Sequence, residues 1–309
     1  MMDKKNTNVN VKRKTRLRHS VSDNIFNGIL LVILGFFLIL VAYPLIFVVA
    51  ASFSSGNAVT SGKVFLWPVN FTLTGYEIVF SNAAVWRGYA NTVFYTLTGT
   101  ALNLVLTIMV AYPLSRRTFQ GRRFFSILYM IPMFVGGGMI PTYVLMSKLG
   151  LVNSRWIMIL SGAVSIYNMV LMRTFFKNSI PDELLESAKI DGISDIGYLL
   201  KIVIPLSKAI ISVIVLYYMV GHWNSYMTPL IYLQDPDKKP LQLILREILN
   251  ASKVDLTQIT DPAVIEKMAG MADVMKYALI VVSTVPMLIL YPFIQKFFTK
   301  GVMIGSLKG

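Results

Sequence analysis

The chain of 309 residues is 55% hydrophobic and only 14% charged, which excludes an ordinary soluble domain and leaves room for several membrane spans. Its net charge of +14 lies in short stretches between apolar runs, so it does not form the solvated basic face of a nucleic-acid-binding protein. The absence of cysteine excludes disulfides, zinc–thiolate sites and thiol nucleophiles.

The chain begins with a polar and basic segment, residues 1–24. The apolar run that follows it is too long for a secretory signal and lacks a small-residue cleavage site. We therefore predict a cytoplasmic tail followed by an uncleaved first span. Residues 53–88 are polar and aromatic and contain Gly and Pro turn residues, which predicts an external loop with short structure.

Apolar runs of membrane-spanning length recur along the rest of the chain. The third run contains Gly136-Gly137-Gly138 without a following Lys-Ser or Lys-Thr, so it is no phosphate-binding loop and predicts a bend or a close helix contact. Residues 25–298 form one predicted all-α membrane domain, followed by a short cytoplasmic tail, 299–309. The six predicted spans are Ile25–Ser52, Tyr89–Leu114, Phe124–Met146, Trp156–Phe175, Ser207–Leu233 and Asp273–Phe298.

A polar stretch, residues 179–205, interrupts the apolar pattern between the fourth and fifth spans. Ser179 and Asp182 have the spacing of an N-terminal capping pair, and Pro181 suits a first helical turn. Leu184, Leu185 and Ala188 then share one helical face. Gly192 is placed to end this helix, Ser194 to cap a second one, and Pro205 to end or kink it. The pattern predicts a compact helix–turn–helix on a membrane surface. An ordinary capped loop helix in the cytosol would show the same signals.

The same stretch resembles the EAA loop of binding-protein-dependent ABC importer permeases. The resemblance lies in Glu186-Ser187-Ala188, Gly192 and Ile202–Pro205, with Ser187 and Ile204 replacing the usual alanine and leucine. It implies a type I importer permease fold in which this coupling loop inserts into a groove of an ATPase subunit. The residues implied in ATPase coupling are Glu186, Ser187, Ala188, Asp191, Gly192, Ile202 and Pro205.

Charge counting predicts the orientation in the membrane. Most of the 29 Lys and Arg residues lie in the two tails, the loop after the second span and the coupling loop, which places both termini and that loop in the cytoplasm. No central part of a span carries Asp, Glu, Lys or Arg, which disfavours an ion-coupled secondary carrier. The chain also lacks GxxxxGK[ST], so it cannot hold ATP in the P-loop manner. A receptor or scaffold without solute flux is a further alternative.

The chain is similar over almost its whole length to carbohydrate-uptake permeases, in particular to the maltose-type second permease and the LplC- or YtcP-like group. The segment Tyr217–Tyr226 and Pro240–Leu243 carry this likeness. It implies no enzyme activity and no cofactor for this chain. It implies a homologous permease as heterodimer partner, two cytosolic ATPase subunits holding ATP and Mg, and an extracellular solute-binding lipoprotein, in a bacterial cytoplasmic membrane. Import of a peptide or an amino acid is the alternative within the family.

The fifth span has an aromatic, hydrogen-bonding character that suits sugars, because sugars present apolar C–H faces and a ring of hydroxyls. Tyr218, His222 and Tyr226 are spaced i, i+4, i+8 and predict one shared face. Helix packing with an interfacial aromatic belt explains the same residues. The external loop 234–272 resembles the one that reaches into the binding protein in maltose-type systems. The candidate substrate path is Tyr218, His222, Trp223, Asn224 and Tyr226.

Overall fold

The computed structural model describes residues 21–251 and 262–305, with side chains at 22–251 and 270–292. All regular structure in these ranges is helical. The predicted tails lie outside them at 1–20 and 306–309, and so do residues 252–261 of the predicted external loop.

The first half of the chain forms two long helices joined by short ones. Asn82 caps the second long helix, because its side chain accepts a hydrogen bond from the N–H of Ala84 at 2.9 Å. The external loop predicted at 53–88 is shorter than expected, since this helix begins before Tyr89. The helices are α1 (Val21–Ser52), α2 (Gly56–Thr60), α3 (Thr74–Ser81), α4 (Ala83–Ser115), α5 (Arg122–Phe134) and α6 (Met139–Lys148).

The second half consists of short helices followed by one long helix. A π-helical turn, Leu199–Val203, lies between two of the short helices. The last helix begins at Pro262, so residues 262–272 of the predicted external loop are helical. The helices are α7 (Trp156–Leu160), α8 (Ile166–Ser179), α9 (Asp182–Ile190), α10 (Asp195–Tyr198), α11 (Ile204–Leu206), α12 (Lys208–Trp223), α13 (Met227–Tyr232), α14 (Leu241–Ala251) and α15 (Pro262–Gly305).

Three helices of the described ranges are long and apolar enough to cross a membrane: Ser22–Ser52, Ala83–Ser115 and Gly270–Pro292. Two further pairs reach that length only together, Arg122–Phe134 with Met139–Lys148 and Asp195–Leu206 with Lys208–Trp223. Each predicted span overlaps a helix or an interrupted pair of helices. The six predicted spans are consistent with this arrangement, and the third, fourth and fifth are each interrupted between two helices.

The glycine triplet forms a bend of 119° between α5 and α6 rather than a helix contact. Gly138 has φ +80°, which favours glycine, and a Cβ at Gly136 or Gly137 would meet no atom within 4 Å. The second bend, 83°, lies at the fully buried Ser207 between α11 and α12.

The core of the fold lies where α4 packs against α8 and α12. A second cluster joins α14 to α15 and to the first half of α4. These two clusters lie on the two halves of α4, so this helix links the 179–205 loop to the segment 234–251. By contrast, α1 leaves most of its side chains exposed and packs mainly through its C-terminal part, at Phe47, Ala50 and Ala51.

Candidate functional site

The coupling loop is a helical hairpin, but its first helix is not capped as predicted. Ser179 is the last residue of α8, and Pro181, whose side chain cannot accept a hydrogen bond, occupies the position before α9. The predicted cap at Ser179 is therefore wrong, because a capping residue needs a non-helical backbone directly before the helix that it caps.

The end of α9 follows the sequence prediction. Gly192 has φ +72°, its N–H donates to the carbonyl of Lys189 at 3.1 Å, and the N–H of Ile193 donates to the carbonyl of Ala188 at 2.9 Å. This left-handed turn satisfies carbonyls at the end of the helix. Ser194 caps α10 by accepting the N–H of Gly197 at 3.2 Å. The predicted turn and the predicted second cap are both confirmed.

The loop has an inner face that belongs to the core and an outer face that is exposed. Leu185, Ala188 and Tyr198 are buried against α8 and α12, whereas Leu184 does not join them and is 40% exposed. The remaining polar candidates, Glu186, Ser187, Asp191 and Gly192, are exposed; Ile202 is half-buried and Pro205 is exposed beside the bend. The outer face also presents three apolar side chains, Ile190 at 87%, Ile196 at 72% and Leu200 at 58% exposure.

One buried cation connects this loop to the helices that precede it. Arg116, 4% exposed, lies just after α4, donates to the carbonyl of Phe176 at 3.2 Å and approaches the Asp182 carboxylate at 3.5 Å. Its guanidinium also lies over the ring of Tyr112 at 5.4 Å. From the opposite direction, Arg173 donates to the carbonyl of Leu114 at 3.1 Å. These contacts tie the ends of α4 and α8 to the start of α9.

A polar cavity of about 620 Å³ lies beside this arginine, between the end of α4 and α9. Arg117, Lys177, Glu183, Glu186 and Lys189 are among the residues that line it.

The fifth span uses its polar side chains to contact neighbouring helices. The Tyr218 hydroxyl lies 2.7 Å from Thr107 Oγ1 and accepts the N–H of Ser165 at 3.0 Å. Thr107 already donates its proton to the carbonyl of Asn103, so Tyr218 donates to Thr107. This hydroxyl joins α4, α8 and α12, as the packing interpretation of the sequence predicts.

His222 and Trp223 are likewise engaged with neighbours. His222 Nε2 lies 3.1 Å from the Asn103 amide, and a Cβ at Gly99 would fall 2.5 Å from the imidazole. Glycine is therefore required at 99 for this close approach. Trp223 is buried and donates from Nε1 to the carbonyl of Ser283 at 3.0 Å.

Asn224 and Tyr226 lie beyond the end of α12 and are exposed. The predicted single face of Tyr218, His222 and Tyr226 is therefore wrong for Tyr226, because the helical spacing stops at Trp223. Tyr226 instead meets α14, with the guanidinium of Arg246 over its ring at 5.2 Å.

The segment 234–251 lies against α4 along its length. Asn91 donates to the carbonyls of Asp237 and Lys239 at 2.8 and 3.0 Å, and Tyr95 donates to the carbonyl of Lys238 at 2.8 Å. Thr92 accepts the N–H of Leu241 at 2.8 Å. Side chains of α4 thus satisfy backbone groups of the segment, which holds it in a defined path.

Sequence reasoning missed two residues that hold the site together. Arg116 and Arg117 are adjacent basic residues in one loop, yet the Arg117 side chain is 81% exposed and that of Arg116 only 5%. Asn153 has φ +55° and its Oδ1 accepts the N–H groups of Gln234 and Asp235 at 3.2 and 3.0 Å. An Asn in a Gly-containing turn was the one available signal for this second contact.

Comparison with known proteins gives the chain close relatives. Residues 14–304 match the family of binding-protein-dependent transport system inner membrane components. The chain is 40% identical over 296 residues to the polygalacturonan/rhamnogalacturonan transport system permease protein YtcP of Bacillus subtilis, covering 95% of this chain and all of that protein. It is 40% identical over 266 residues to protein LplC of the same organism, covering 86% and 89% of the two chains.

A solved structure has the same fold. It is a chain of a bacterial ABC transporter involved in the import of the acidic polysaccharide alginate, with a TM-score of 0.82 and 35% sequence identity. The match covers 91% of this chain and 99% of that chain. The likeness therefore extends over the whole membrane domain and is not confined to the coupling loop.

Proposed function

We propose, from the premise that the chain belongs to the family of binding-protein-dependent transport system inner membrane components, that its cargo is an oligosaccharide or a polysaccharide fragment. The chain is a permease subunit of an ABC importer and not an enzyme. Two similar proteins belong to transport systems for polymers whose sugars carry carboxylates. The polymer is polygalacturonan/rhamnogalacturonan in one case and alginate in the other. Their names support a saccharide over a peptide or an amino acid.

The observation that carries the proposed coupling of this permease to an ATPase subunit is the two-faced coupling loop. Its outer face exposes Ile190, Ile196 and Leu200, which is unfavourable in water and suits a hydrophobic groove on another protein. Its inner face is fixed to the membrane helices through Arg116. A partner that grips the outer face therefore moves the ends of α4 and α8 together with the loop.

The proposed partners are two cytosolic ATPase subunits that hold ATP and Mg, a homologous permease and an extracellular solute-binding lipoprotein. Closure of the ATPases on ATP would push the coupling loops together and open the cavity towards the binding protein. Within this chain, motion would pass from α9 through Arg116 to α4 and α8, and through Tyr218 to α12. Both termini and the coupling loop would lie in the cytoplasm.

Because the chain has no native cysteine, single cysteines test this arrangement directly. Ile196→Cys carrying a benzophenone maleimide should crosslink to the ATPase subunit in the assembled complex. Leu38→Cys on α1 is the matched control, since Leu38 is a similarly exposed apolar residue, at 69%, on a predicted lipid-facing helix. Equal crosslinking of both, or none at Ile196, would contradict the proposed docking face.

The same approach tests the orientation. Trp67→Cys, in the loop between α2 and α3, should react with an impermeant maleimide in intact cells, because Trp67 is 80% exposed. Ile196→Cys should react only after permeabilisation. The reverse pattern would place the coupling loop outside and remove the proposed function.

A further inference from the structure

Helix α14 contributes to a cavity of about 460 Å³. It lies between α14, α15 and the break after α12. Its lining combines an aromatic ring, a guanidinium, an amide and a hydroxyl with apolar side chains. The residues are Tyr226, Gln242, Leu245, Arg246, Leu249, Leu279, Ile280 and Ser283.

Three separate elements bring the polar groups of this cavity together. Gln242 and Arg246 are one helical turn apart on α14 and so lie on one face of it. That helix buries Leu241, Ile244 and Leu245 in the core, which fixes the direction of its other face. Tyr226 comes from the break after α12 and is 43% exposed, and Ser283 comes from α15.

The positive charge of Arg246 has no carboxylate partner among the residues that the structure describes, and this is the feature that indicates an anionic ligand. The carboxylates of the segment 234–251 are each paired with a cation: Asp235 with Lys238, Asp237 with Arg87, and Glu247 with Lys239. Within the described part of the chain, Arg246 has the ring of Tyr226 and no carboxylate at ion-pair distance. An arginine keeps its charge and presents a planar fork that matches a carboxylate.

We propose that this cavity is a binding site for an anionic sugar, with Arg246 taking the carboxylate of a uronic acid residue. The ring of Tyr226 offers a flat surface to the C–H face of the sugar, and Gln242 offers an amide to its hydroxyls. Ser283 donates to the carbonyl of Ile280 at 2.9 Å, so its oxygen remains free to accept a sugar hydroxyl.

The location of this site deepens the proposed function and rests on it. With the coupling loop in the cytoplasm, the cavity lies at the external end of the fifth and sixth spans, where a binding protein would release its cargo. Arg246 would select for charge at the point of entry, before the sugar reaches the neutral interior of the spans.

The test is a binding titration on the purified permease–ATPase complex in nanodiscs of neutral phosphatidylcholine, without binding protein. Trigalacturonate is the anionic probe, and its methyl ester, which has the same ring structure without the charge, is the neutral one. The unmodified complex should bind the acid about tenfold more tightly than the ester, and Arg246→Gln should remove that difference. Phosphatidylcholine carries no net charge, so lipids with a net negative charge do not compete for the site.

Arg155→Gln is the matched control, since Arg155 also lies over an aromatic ring, that of Phe94 at 5.8 Å, but does not line this cavity. It should preserve the preference for the acid. Arg246→Lys keeps the positive charge but loses the planar guanidinium, so it should retain about a third of the preference for the acid. If the glutamine variant fails to assemble, the lysine variant still tests the proposal. Equal binding of acid and ester, or an unchanged preference in both Arg246 variants, would overturn the proposal.

Uptake by the complete importer, with its binding protein in proteoliposomes, tests the proposed function separately. Import of a neutral trisaccharide but not of trigalacturonate would overturn the anionic site and leave saccharide import standing. Import of neither would remove the proposed function, whatever the titration shows.

Discussion

The coupling loop and the segment 234–251 both connect helices at an end of the core, yet they are attached to α4 in different ways. The segment is held through its backbone by Asn91, Thr92 and Tyr95. The loop makes its polar contact with α4 through Arg116, and it leaves an apolar outer face exposed.

The difference indicates that the coupling loop and the segment 234–251 have different functions. A segment whose carbonyls are satisfied by a neighbouring helix keeps its shape when that helix moves, since separating them would leave buried polar groups unpaired. A loop with one buried cationic support and an exposed apolar face can be held by a partner and moved as a unit. Four substitutions, ordered from the largest expected effect to the smallest, test this distinction.

Gly192→Pro should have the largest effect, reducing substrate-stimulated ATP hydrolysis of the reconstituted complex to its basal rate. Proline fixes φ near −65°, whereas Gly192 has φ +72° and donates its N–H to Lys189. The measurement is ATP hydrolysis with and without loaded binding protein, together with a membrane-insertion assay that should remain normal.

Gly62→Pro is its control, because Gly62 has a similar φ of +68° and lies in the loop that the sequence predicts to be external. It should retain stimulation. Normal coupling in the Gly192 variant would show that the turn has no role in transmission.

Arg116→Met should lower stimulated hydrolysis by about tenfold and destabilise the complex by about 2 kcal/mol, because hydrogen bonds from a buried cation are lost. Thermal unfolding in detergent and the hydrolysis assay measure the two effects. Arg117→Gln should change hydrolysis less than twofold, since its side chain is 81% exposed and lies 3.7 Å from Asp182. Equal effects of the two variants would contradict the assigned support.

Asn91→Ala should destabilise the chain by about 1–2 kcal/mol, because the carbonyls of Asp237 and Lys239 lose their donor. Limited proteolysis of the segment 234–251 should become faster while stimulation of ATP hydrolysis persists. Thr98→Ala provides the comparison, because Thr98 is half-buried and its hydroxyl donates within its own helix. Loss of stimulation without faster proteolysis would mean that this segment too transmits motion.

Tyr218→Phe should have the smallest effect, about 1 kcal/mol of stability, through loss of its bond to Thr107. Uptake selectivity between acidic and neutral sugars should not change, because this hydroxyl is already occupied by neighbouring helices. Tyr217→Phe, at a half-exposed ring beside Tyr167, should leave stability unchanged. A change of selectivity in the Tyr218 variant would support the prediction that this residue lies on the substrate path.

The sequence by itself determined the class of the protein, the positions of the spans and the local form of the coupling loop. Apolar runs of sufficient length predict spans wherever they occur. The positive φ at Gly192 and the cap at Ser194 depend only on near neighbours in the chain. The predicted cap at Ser179 was wrong because α8 continues through this residue. The length of a helix depends on the core against which it packs.

Only the tertiary structure decided which polar residues are buried in the core and which stay exposed. Arg116 and Arg117 are chemically equal in the sequence, and burial alone separates them. Arg246 and Tyr226 are 20 positions apart, and only the break after α12 brings guanidinium and ring within 5.2 Å. Contacts between distant residues depend on the angles at which helices cross and bend, and these follow from packing that no local pattern records.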